Sequence, residues 1–487
     1  MKTFAFALAA LLPLAPSALR AQSPAPQESD FYKIEPFSFP ADIVAEVGAI
    51  ELLPEHKLAV GTRRGDVYIV DNAFTTDPAN AKYQHFASGL HEVLGLAYKD
   101  GWLYVTQRPE VSRLKDKDGD GRADIFETVN ADWNITGDYH EYAFGSRFDP
   151  KGNLWVTLCL TGSFHSNAPY RGWCLRITPD GKSIPTAAGL RSPGGVGFSP
   201  DGTAYYDDNQ GVWNGSSSLK PLLVGSFHGH PETLKWWDNA LGEKPLESVT
   251  GTRITQERER NPKFAPPAVI LPHAKVGNSP TAWDWDESGK FGPFTKQLFI
   301  TDQSFSVVNR VTLETVNGVK QGCVFPFLKG LQSGPIGVRM SPDGVLFVGG
   351  SDRGWGARGG KPFDLERITW TGKVPFEMHE IKASPEGFEV KFTQPVDETT
   401  AKDANNYKMR AWTYIWQASY GSPEVDEVLP KVEVASVSAD GTIVKLKVTP
   451  LTKGHVHQLD VPGVKSKDGA PVLHPVGYYT LNEIPKS

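Results

Sequence analysis

Hydrophobic and polar residues alternate in a short motif that recurs along the first three quarters of the chain. Each copy is a turn with Asp or Gly, followed by a run of alternating apolar and aromatic residues. This pattern is typical of a hairpin turn that leads into a β-strand with one buried face. The copies are Arg63–Val70, Tyr98–Gln107, Phe148–Leu158, Phe198–Asp208, Phe294–Asp302 and Met340–Gly350. They predict an all-β fold built from six similar units.

The spacing of the copies indicates which β-fold this is. Most copies are roughly 35 to 50 residues apart, which is the length of one four-stranded blade of a β-propeller. The gap between the fourth and fifth copies is about twice as long and predicts an insertion over about 213–281. The sequence therefore predicts a six-bladed β-propeller over residues 37–374, whose closed ring protects the strand edges.

The pattern changes after Trp370. Runs such as GFEVKFTQPV, KVEVASVS, TIVKLKVTP and HVHQLDV alternate cleanly and follow a linker-like TGKVPFEM. Such runs are typical of an antiparallel β-sandwich. We expect an immunoglobulin- or fibronectin-like β-sandwich over residues 377–487.

The first residues, MKTFAFALAALLPLAPSALRAQ, have the pattern of a secretory signal peptide over 1–21, followed by a polar leader over 22–36. The apolar run is too short to span a membrane, and no later segment is apolar enough to do so. The net charge of -6 is spread along the chain and leaves no basic patch for nucleic acid. We expect a secreted or periplasmic protein.

Three cysteines leave two alternatives open in an exported protein. Cys159 and Cys174 lie on neighbouring strand patterns and are suited to form a disulfide, whereas Cys323 is isolated. The other alternative is that all three are buried thiols.

An acidic loop between two predicted strands has the spacing of a calcium site. The residues at positions 1, 3, 5, 7, 9 and 12 of the calcium-loop pattern are Asp116, Asp118, Asp120, Arg122, Asp124 and Glu127. Arg122 would contribute its backbone carbonyl, and Gly121 permits the sharp turn. The flanking residues read as strands, so the prediction is a structural calcium loop in a hairpin. A solvated acidic turn is the alternative.

His140 is the main catalytic candidate. It lies in GDYHEYAFG, just before a blade strand, beside Tyr139 and Glu141. Loops at this position in a propeller surround the central channel, where ligands bind. A histidine there is suited to act as a general base near neutral pH. A structural histidine is the alternative.

Further polar candidates follow on later blades. Arg191 precedes the Pro- and Gly-rich SPGG, and Asn209 follows the next strand. His228 and His230 form an HxH pair, which suits a transition metal but lacks a third ligand. Arg353 and Arg358 lie on a Gly-rich loop, where they suit carboxylate groups or are solvated charges.

These motifs resemble those of the soluble glucose/sorbosone dehydrogenases, six-bladed propellers that bind pyrroloquinoline quinone (PQQ) and calcium. The resemblance covers about 37–370 and rests on LHEVLGLAY, HEYAFGSRFDPKGNLWV and GLRSPGGVGFSPDG. The last two resemble the catalytic-histidine and arginine segments of the family. GDYHEYAFG, DNQGVWNGSSSL and FHGHP resemble still more closely the propellers of large secreted bacterial proteins called membrane-bound dehydrogenase types.

The resemblance implies an aldose-type sugar oxidoreductase. His140 would take the proton of a sugar hydroxyl, and hydride would pass to PQQ polarised by calcium and Arg191. Arg353 and Arg358, with Asn209, would bind the cofactor. The chain has no CxxCH haem motif, so electrons would pass to an external acceptor such as a separate cytochrome.

Two other functions agree with the same residues. A calcium-stabilised polysaccharide lyase or glycoside hydrolase would use His140, Tyr139 and Arg191 for acid–base chemistry. A non-catalytic carbohydrate-binding protein would use the many aromatic residues, which include 13 Trp.

Overall fold

The computed structural model describes residues 25–486, so the predicted signal peptide lies outside the described part of the chain. Two short α-helices are present, α1 (Ile254–Arg260) and α2 (Glu398–Lys402). Single-turn 3-10 helices span Glu28–Asp30, Pro54–His56, Pro78–Asn80, Pro231–Trp236, Asn239–Leu241 and Ala404–Asn406. No helix in residues 25–486 is long and apolar enough to span a bilayer.

Strands make up most of the ordered structure. In chain order they are β1 (Tyr32–Pro36), β2 (Val47–Leu53), β3 (Lys57–Thr62), β4 (Val67–Asp71), β5 (Lys82–Ala87), β6 (Gly95–Lys99), β7 (Trp102–Thr106), β8 (Val111–Lys115), β9 (Ile125–Asn130), β10 (Ala143–Phe148), β11 (Leu154–Leu158), β12 (Trp173–Ile177), β13 (Ser183–Ala188), β14 (Pro193–Phe198), β15 (Ala204–Asp208), β16 (Ser217–Pro221), β17 (Ser226–Phe227), β18 (Val269–Leu271), β19 (Pro280–Trp285), β20 (Leu298–Asp302), β21 (Val307–Val316), β22 (Val319–Lys329), β23 (Pro335–Met340), β24 (Val345–Ser351), β25 (Phe363–Trp370), β26 (Met378–Ser384), β27 (Gly387–Phe392), β28 (Lys408–Tyr414), β29 (Glu424–Val428), β30 (Lys431–Val437), β31 (Ile443–Thr449), β32 (His455–Asp460) and β33 (Val476–Leu481).

Six antiparallel sheets form the blades of a β-propeller. Their strand orders are β2-β3-β4-β5, β6-β7-β8-β9, β10-β11-β12-β13, β14-β15-β16-β18, β19-β20-β21-β22 and β23-β24-β25-β1. The first strands of the blades pack side by side from β2 through β23 and back to β2, which closes the ring. Apolar side chains fill the space between neighbouring blades, as between the sixth and first. The predicted propeller is therefore present in the structure.

The N-terminal segment closes the ring. Strand β1 is the outermost strand of the sixth blade and pairs antiparallel with β25, with Tyr32 opposite Trp370. The propeller thus begins at Tyr32, within the segment predicted as a leader. Strand β1 comes from the N-terminal part of the chain and covers the outer edge of a blade whose other strands lie in residues 335–370. The pairing removes an exposed sheet edge.

Alternation of strand direction gives the propeller two distinct ends. Loops between the second and third strands of a blade, and loops between blades, lie at one end, which we call the mouth end. Loops between first and second strands, and between third and fourth, lie at the far end. The recurring motif marks far-end hairpins in five blades. Its first copy, Arg63–Val70, instead joins β3 to β4.

The inserted segment lies within the fourth blade. Residues 222–268 separate the third strand, β16, from the fourth, β18, and contain helix α1. Within the insertion, β17 pairs in parallel with β13, so the segment also extends the sheet of the third blade. The long gap between motif copies is explained by this excursion.

The C-terminal region forms two sheets around one apolar core. One sheet has the order β26-β27-β31-β30, and the other strands continue the fifth blade in the order β22-β33-β32-β28-β29. Phe388, Val390 and Leu446 of the first sheet share a core with Met409 and Tyr479 of the second. The immunoglobulin-like topology stays a prediction. The sheet that continues from β22 joins this region firmly to the propeller.

The cysteines resolve the alternative left open above. Cys159, Cys174 and Cys323 are all free and buried. Cys174 is buried beside Leu190 and Tyr206, between the third and fourth blades. The structure agrees with the buried-thiol interpretation.

A buried histidine links the N-terminal segment to the C-terminal region. His474 Nδ1 lies 2.5 Å from Glu377 Oε1, and its Nε2 lies 3.0 Å from Glu28 Oε1. Burial alone would lower the pKa of His474, but the charges of Glu377 and Glu28 outweigh burial and raise it to about 9. The raised pKa stabilises the folded state below the ordinary histidine pKa of about 6.5.

We expect this contribution to unfolding free energy to be lost as the pH rises from about 6.5 through about 9. The difference between the two pKa values corresponds to about 3 kcal/mol. Urea unfolding between pH 6 and 9 would measure it. In His474→Gln the decline over this range should disappear, whereas the exposed His56→Gln should retain it. Equal pH slopes for wild type and His474→Gln would contradict the assignment.

Candidate functional site

A cavity of about 240 Å³ opens at the mouth end of the propeller. Its walls come from loops of several blades and from one loop of the C-terminal region. The lining residues are His140, Tyr142, Phe144, Gly162, Ser163, Phe164, Arg191, Ser192, Pro193, Gly194, Asn209, Asn278, Ser279, Thr281, Gln303, Trp355 and Tyr420. Hydroxyl and amide groups form much of its surface, whereas aromatic rings lie toward the rim.

Below the cavity, the central channel is almost filled. Residues from the first strand of each blade surround a space of only about 30 Å³. Five of these strands carry a β-bulge close to the mouth, at Val47–Ala49, Gly145–Arg147, Pro193–Gly195, Pro280–Trp283 and Pro335–Gly337. Bulges of this kind turn side chains out of the regular strand pattern. Because the space in the channel is so small, the cavity opens toward the mouth end.

His140 lies in a tight turn held by Asp138. The Asp138 carboxylate accepts hydrogen bonds from the backbone N–H groups of His140 and Gly162, both at 2.8 Å. Partial burial opposes ionisation, but these two bonds outweigh it and hold the pKa of Asp138 below its ordinary value. His140 Nδ1 is 3.6 Å from Asp138 Oδ1. An ionised carboxylate thus lies beside the His140 ring. The His140 side chain is 38% exposed.

Two aromatic rings, those of Tyr139 and Trp355, pack against His140. The ring centroids of Tyr139 and Trp355 lie 5.6 and 5.8 Å from that of His140, and 5.6 Å from each other. Tyr139 does not line the cavity, because its hydroxyl accepts a hydrogen bond of 3.3 Å from Arg63 Nη2. Tyr139 packs beside His140, and its catalytic role stays a prediction.

A buried ion network, which no sequence motif predicts, supports this aromatic group. Arg63 Nε donates to Glu92 Oε1 at 2.8 Å, and Arg63 Nη2 donates to the Tyr142 hydroxyl at 3.2 Å. Arg108 lies 3.6 Å from Glu92 and donates to the carbonyl of Asp138. Burial disfavours the Arg63 charge, but Glu92 outweighs it and raises the pKa of Arg63. These bonds fix the turn that carries His140.

Arg191 also lines the cavity and lies in the loop between the third and fourth blades. Its Nη1 donates to the carbonyl of Gln210 at 2.8 Å, and its Nε has no hydrogen-bond acceptor within residues 25–486. The guanidinium carbon lies 5.1 Å from the ring centre of Tyr420. The residue is buried, with 6% of its surface exposed. The wall thus contains a buried cation with an unused donor.

The Asp208 carboxylate fixes the backbone below Arg191. Asp208 accepts hydrogen bonds from the N–H groups of Arg191 at 3.3 Å and Ser192 at 2.8 Å, and pairs with buried Lys220 at 3.0 Å. Asn209, predicted to bind cofactor, lines the cavity, but its Nδ2 donates to the Ser192 and Pro280 carbonyls. Asn209 therefore cross-links two blades at the cavity wall.

Two arginines predicted to bind cofactor do not line the cavity. Arg353 Nη1 is 3.0 Å from Glu46 Oε2, and the Arg353 carbonyl accepts from Arg63. The Arg358 guanidinium lies 4.1 Å from the ring centre of Phe305. Both side chains contact neighbouring residues instead, and their role as cofactor ligands stays a prediction.

The acidic loop connects β8 to β9 and therefore lies at the far end, opposite the cavity. Carboxylate oxygens of Asp116, Asp118 and Asp120 converge within 4.8 Å of one another. Calcium bound here would lie at the opposite end of the propeller from the cavity, and the structural role of the loop stays a prediction. The loop instead contacts the first blade, where Ala123 N–H donates to the Phe86 carbonyl at 2.9 Å.

The other three predicted calcium ligands are Glu127, Asp124 and the Arg122 carbonyl. Glu127 is outside the converging group, its Oε2 accepts from Arg113 Nε at 2.7 Å across the hairpin, and its role as a ligand stays a prediction. Asp124 Oδ2 accepts the backbone N–H of Lys117 at 2.8 Å. The Arg122 carbonyl stays a prediction.

His228 and His230 are buried beside the end of β13, where their backbone N–H groups donate to the carbonyls of Ala188 and Gly189. His228 Nε2 lies 3.1 Å from Ser226 Oγ, and neither nitrogen of His230 has a partner within residues 25–486. Burial lowers the pKa of His230 to about 3. Within the same residues, the carboxylates at 116, 118 and 120 are the one group of three or more His, Cys, Asp or Glu side chains with metal-binding spacing.

Several cavity residues were not predicted, although the repeat carries a signal for them. Ser163, Phe164, Gln303 and Trp355 lie in loops that follow the second strand of a blade. Because each motif copy that joins first and second strands ends at the mouth, the residues just after it face the cavity. Tyr420 has no such signal, because it comes from the C-terminal region.

Comparisons with known proteins support the fold. Residues 59–266, less than half of the chain, match a family described as a domain of unknown function (DUF7133). No curated protein matches the chain. A solved oxidoreductase described as a glucose dehydrogenase, from Thermus thermophilus, has a TM-score of 0.50 and 17% identity, covering 69% of this chain and 99% of that one.

Two further structures were compared. A structure named glucose dehydrogenase has a TM-score of 0.51 and 16% identity, covering 70% of this chain and all (100%) of that one. The PQQ-bound aldose sugar dehydrogenase from Streptomyces coelicolor has a TM-score of 0.49 and 16% identity, covering 70% and 98%. The first two structures show that the chain shares the propeller fold of these glucose dehydrogenases.

Proposed function

We propose that this protein is a sugar oxidoreductase whose active site is the mouth cavity. The observation that supports this most directly is that His140 and Arg191 line one cavity, below which the channel narrows to a space of about 30 Å³. Hydroxyl and amide side chains between them suit the hydroxyl groups of a sugar. Export to the periplasm or outside the cell, and transfer of electrons to an external acceptor, belong to the same proposal.

His140 is the proposed general base. The ring is accessible from the cavity, and the ionised Asp138 beside Nδ1 stabilises the imidazolium that forms when the ring takes a proton. The buried Arg63–Glu92 pair keeps the turn rigid, so that the base is held in one position. The residues of the chain therefore supply a proton acceptor and a fixed geometry.

The residues fit a planar anionic cofactor such as PQQ. The Arg191 guanidinium lines the cavity, and its positive charge would attract a carboxylate. The amide of Gln303 would contact the flat ring system, whereas Trp355 lies at the opening. When bound, PQQ would accept the hydride of the sugar. Arg353 and Arg358 take no part in this proposal.

A dye-reduction assay with purified protein, PQQ, calcium and a panel of aldoses tests the proposal. We expect sugar-dependent reduction of the dye and a change in the quinone absorbance on binding. Absence of both would contradict the proposal. Release of unsaturated or reducing ends from polysaccharides would favour the lyase or hydrolase alternative, and sugar binding without turnover would favour a binding protein.

We also propose that the loop at Asp116, Asp118 and Asp120 binds calcium and has a structural role. Three convergent carboxylates suit a hard divalent cation, whose charge would offset their mutual repulsion. The loop lies against the first blade through Ala123, so an ordered loop strengthens the contact between two blades.

Calcium is therefore expected to raise the melting temperature by a few degrees, since saturation at about 100 times the dissociation constant contributes about 2.7 kcal/mol. Scanning calorimetry after chelation and after readdition of calcium measures this shift. Asp116→Asn combined with Asp118→Asn should abolish the response. Glu127→Gln is the matched control and should keep it, because Glu127 pairs with Arg113. A response lost equally in both variants would contradict this ligand set.

A further inference from the structure

One loop of the C-terminal region is fixed onto the mouth end of the propeller. The loop joins β28 to β29, and its backbone bonds to the fourth blade at three places. Trp213 N–H donates to the Gln417 carbonyl at 2.9 Å, Gly421 N–H to the Gly211 carbonyl at 3.0 Å, and Ser422 N–H to the Gly215 carbonyl at 3.0 Å. These bonds hold the loop in a single position.

A buried tryptophan and a glycine make this contact specific. Trp416 is 3% exposed, and its Nε1 donates to Ser248 Oγ at 3.1 Å. Gly421 has a φ of 64°, and a Cβ there would come within 2.9 Å of the Gln210 side chain. A larger residue would therefore push the loop away from the blade. The loop is built to approach the cavity closely.

Tyr420 lies at the tip of this loop and exposes its ring at the cavity. The residue is 62% exposed, lines the cavity, and lies over the Arg191 guanidinium at 5.1 Å. A single exposed aromatic residue on a protein surface is ordinary. Here the supporting loop is rigid while the ring is left open to solvent, beside polar groups suited to a sugar.

Two more exposed aromatic rings surround the same opening. Phe164 of the third blade is 45% exposed, and Trp355 of the sixth is 39% exposed. Together with Tyr420 we call them the rim aromatics. They come from three separate parts of the chain and meet at a cavity that is closed below. Flat ring faces around a polar opening suit the alternating polar edges and apolar faces of sugar rings.

We propose that Tyr420 is a specificity residue that stacks on the second unit of an oligosaccharide whose terminal unit occupies the cavity. This inference rests on the proposed function in one respect, that the cavity takes a carbohydrate. The cavity of about 240 Å³ is smaller than the roughly 300 to 1,000 Å³ typical of drug-sized ligand sites, so further units lie at the rim. The filled channel below allows only a chain end to enter.

Calorimetric titration with cello- and malto-oligosaccharides of one to six glucose units tests the inference. Wild type is expected to bind one of the two series more tightly as the chain lengthens from one to two or three units. Tyr420→Ala should lose about tenfold in affinity for the longer chains and keep its affinity for the monosaccharide. Tyr420→Phe keeps the ring and should behave like wild type.

Tyr98→Ala is the matched control, because Tyr98 is an exposed tyrosine at the far end of the propeller. Its affinities should match wild type at every length. Affinity independent of length in wild type, or no binding of any probe, would overturn the inference. An equal loss for monosaccharide and oligosaccharide in Tyr420→Ala would also overturn it, since that result assigns Tyr420 to positioning Arg191. Titration measures binding without turnover. Length-dependent binding without dye reduction would therefore contradict the proposed sugar oxidation and leave the inference about Tyr420 intact.

Discussion

Replacing His140 with alanine is expected to lower kcat/KM for sugar oxidation by about 10²- to 10⁴-fold, the usual contribution of a general base. The cavity would then contain no other histidine to accept the hydroxyl proton. Steady-state dye reduction measures the loss. Sugar affinity from titration should change little, because the contribution of a general base is made in the transition state.

Two controls separate this effect from unfolding. His140 is part of an exposed turn, so its replacement should leave the melting temperature close to that of wild type. His56→Ala removes an exposed histidine at the far end and should retain full activity. Activity of His140→Ala within threefold of wild type would exclude His140 as the base and, with it, both catalytic interpretations that use it.

Replacing Arg191 with alanine is expected to weaken PQQ binding by about 100-fold, because Arg191 is the one arginine or lysine that lines the cavity. Arg191→Lys should recover only part of the affinity, since a lysine cannot form the two-pronged contact of a guanidinium with a carboxylate. Equilibrium titration followed by quinone absorbance measures both variants.

Arg358→Ala is the matched control for this prediction. Arg358 lies against Phe305 outside the cavity, so its removal should leave the affinity within about twofold of wild type. Equal losses in the two variants would show that the last blade contributes to the binding site. Circular dichroism of Arg191→Ala would verify that the buried turn above Asp208 survives the substitution.

The acidic loop shows that a motif can predict local geometry without predicting which residues lie near it in the fold. Asp116, Asp118 and Asp120 converge as their spacing predicts, because ligand spacing within one turn is a local property. His140 follows only a short distance along the chain, yet one strand, β9, carries the backbone from the far end to the mouth. Residues that are close in sequence therefore lie at opposite ends of the propeller.

The cavity partners of His140 illustrate what a sequence motif leaves undetermined. Arg191 was predicted and lines the cavity, whereas Arg353 and Arg358 were predicted with equal reason and do not. Both kinds of arginine lie beside Gly-rich turns, and only packing against Glu46 or Phe305 separates them. Glu127 lies outside the converging carboxylates for a similar reason, since Arg113 lies opposite it on the adjacent strand.

The strand content, the six-fold repeat and the candidate residues His140 and Arg191 could be derived from sequence alone, because alternation and turn chemistry act over a few residues. Ring closure by β1, the assignment of loops to the mouth or far end, and the arrival of Tyr420 at the cavity required the tertiary structure. Each depends on pairing between segments far apart in the chain, such as Tyr32 with Trp370. Local patterns specify which face of a strand is buried, whereas long-range packing decides which strands and loops become neighbours.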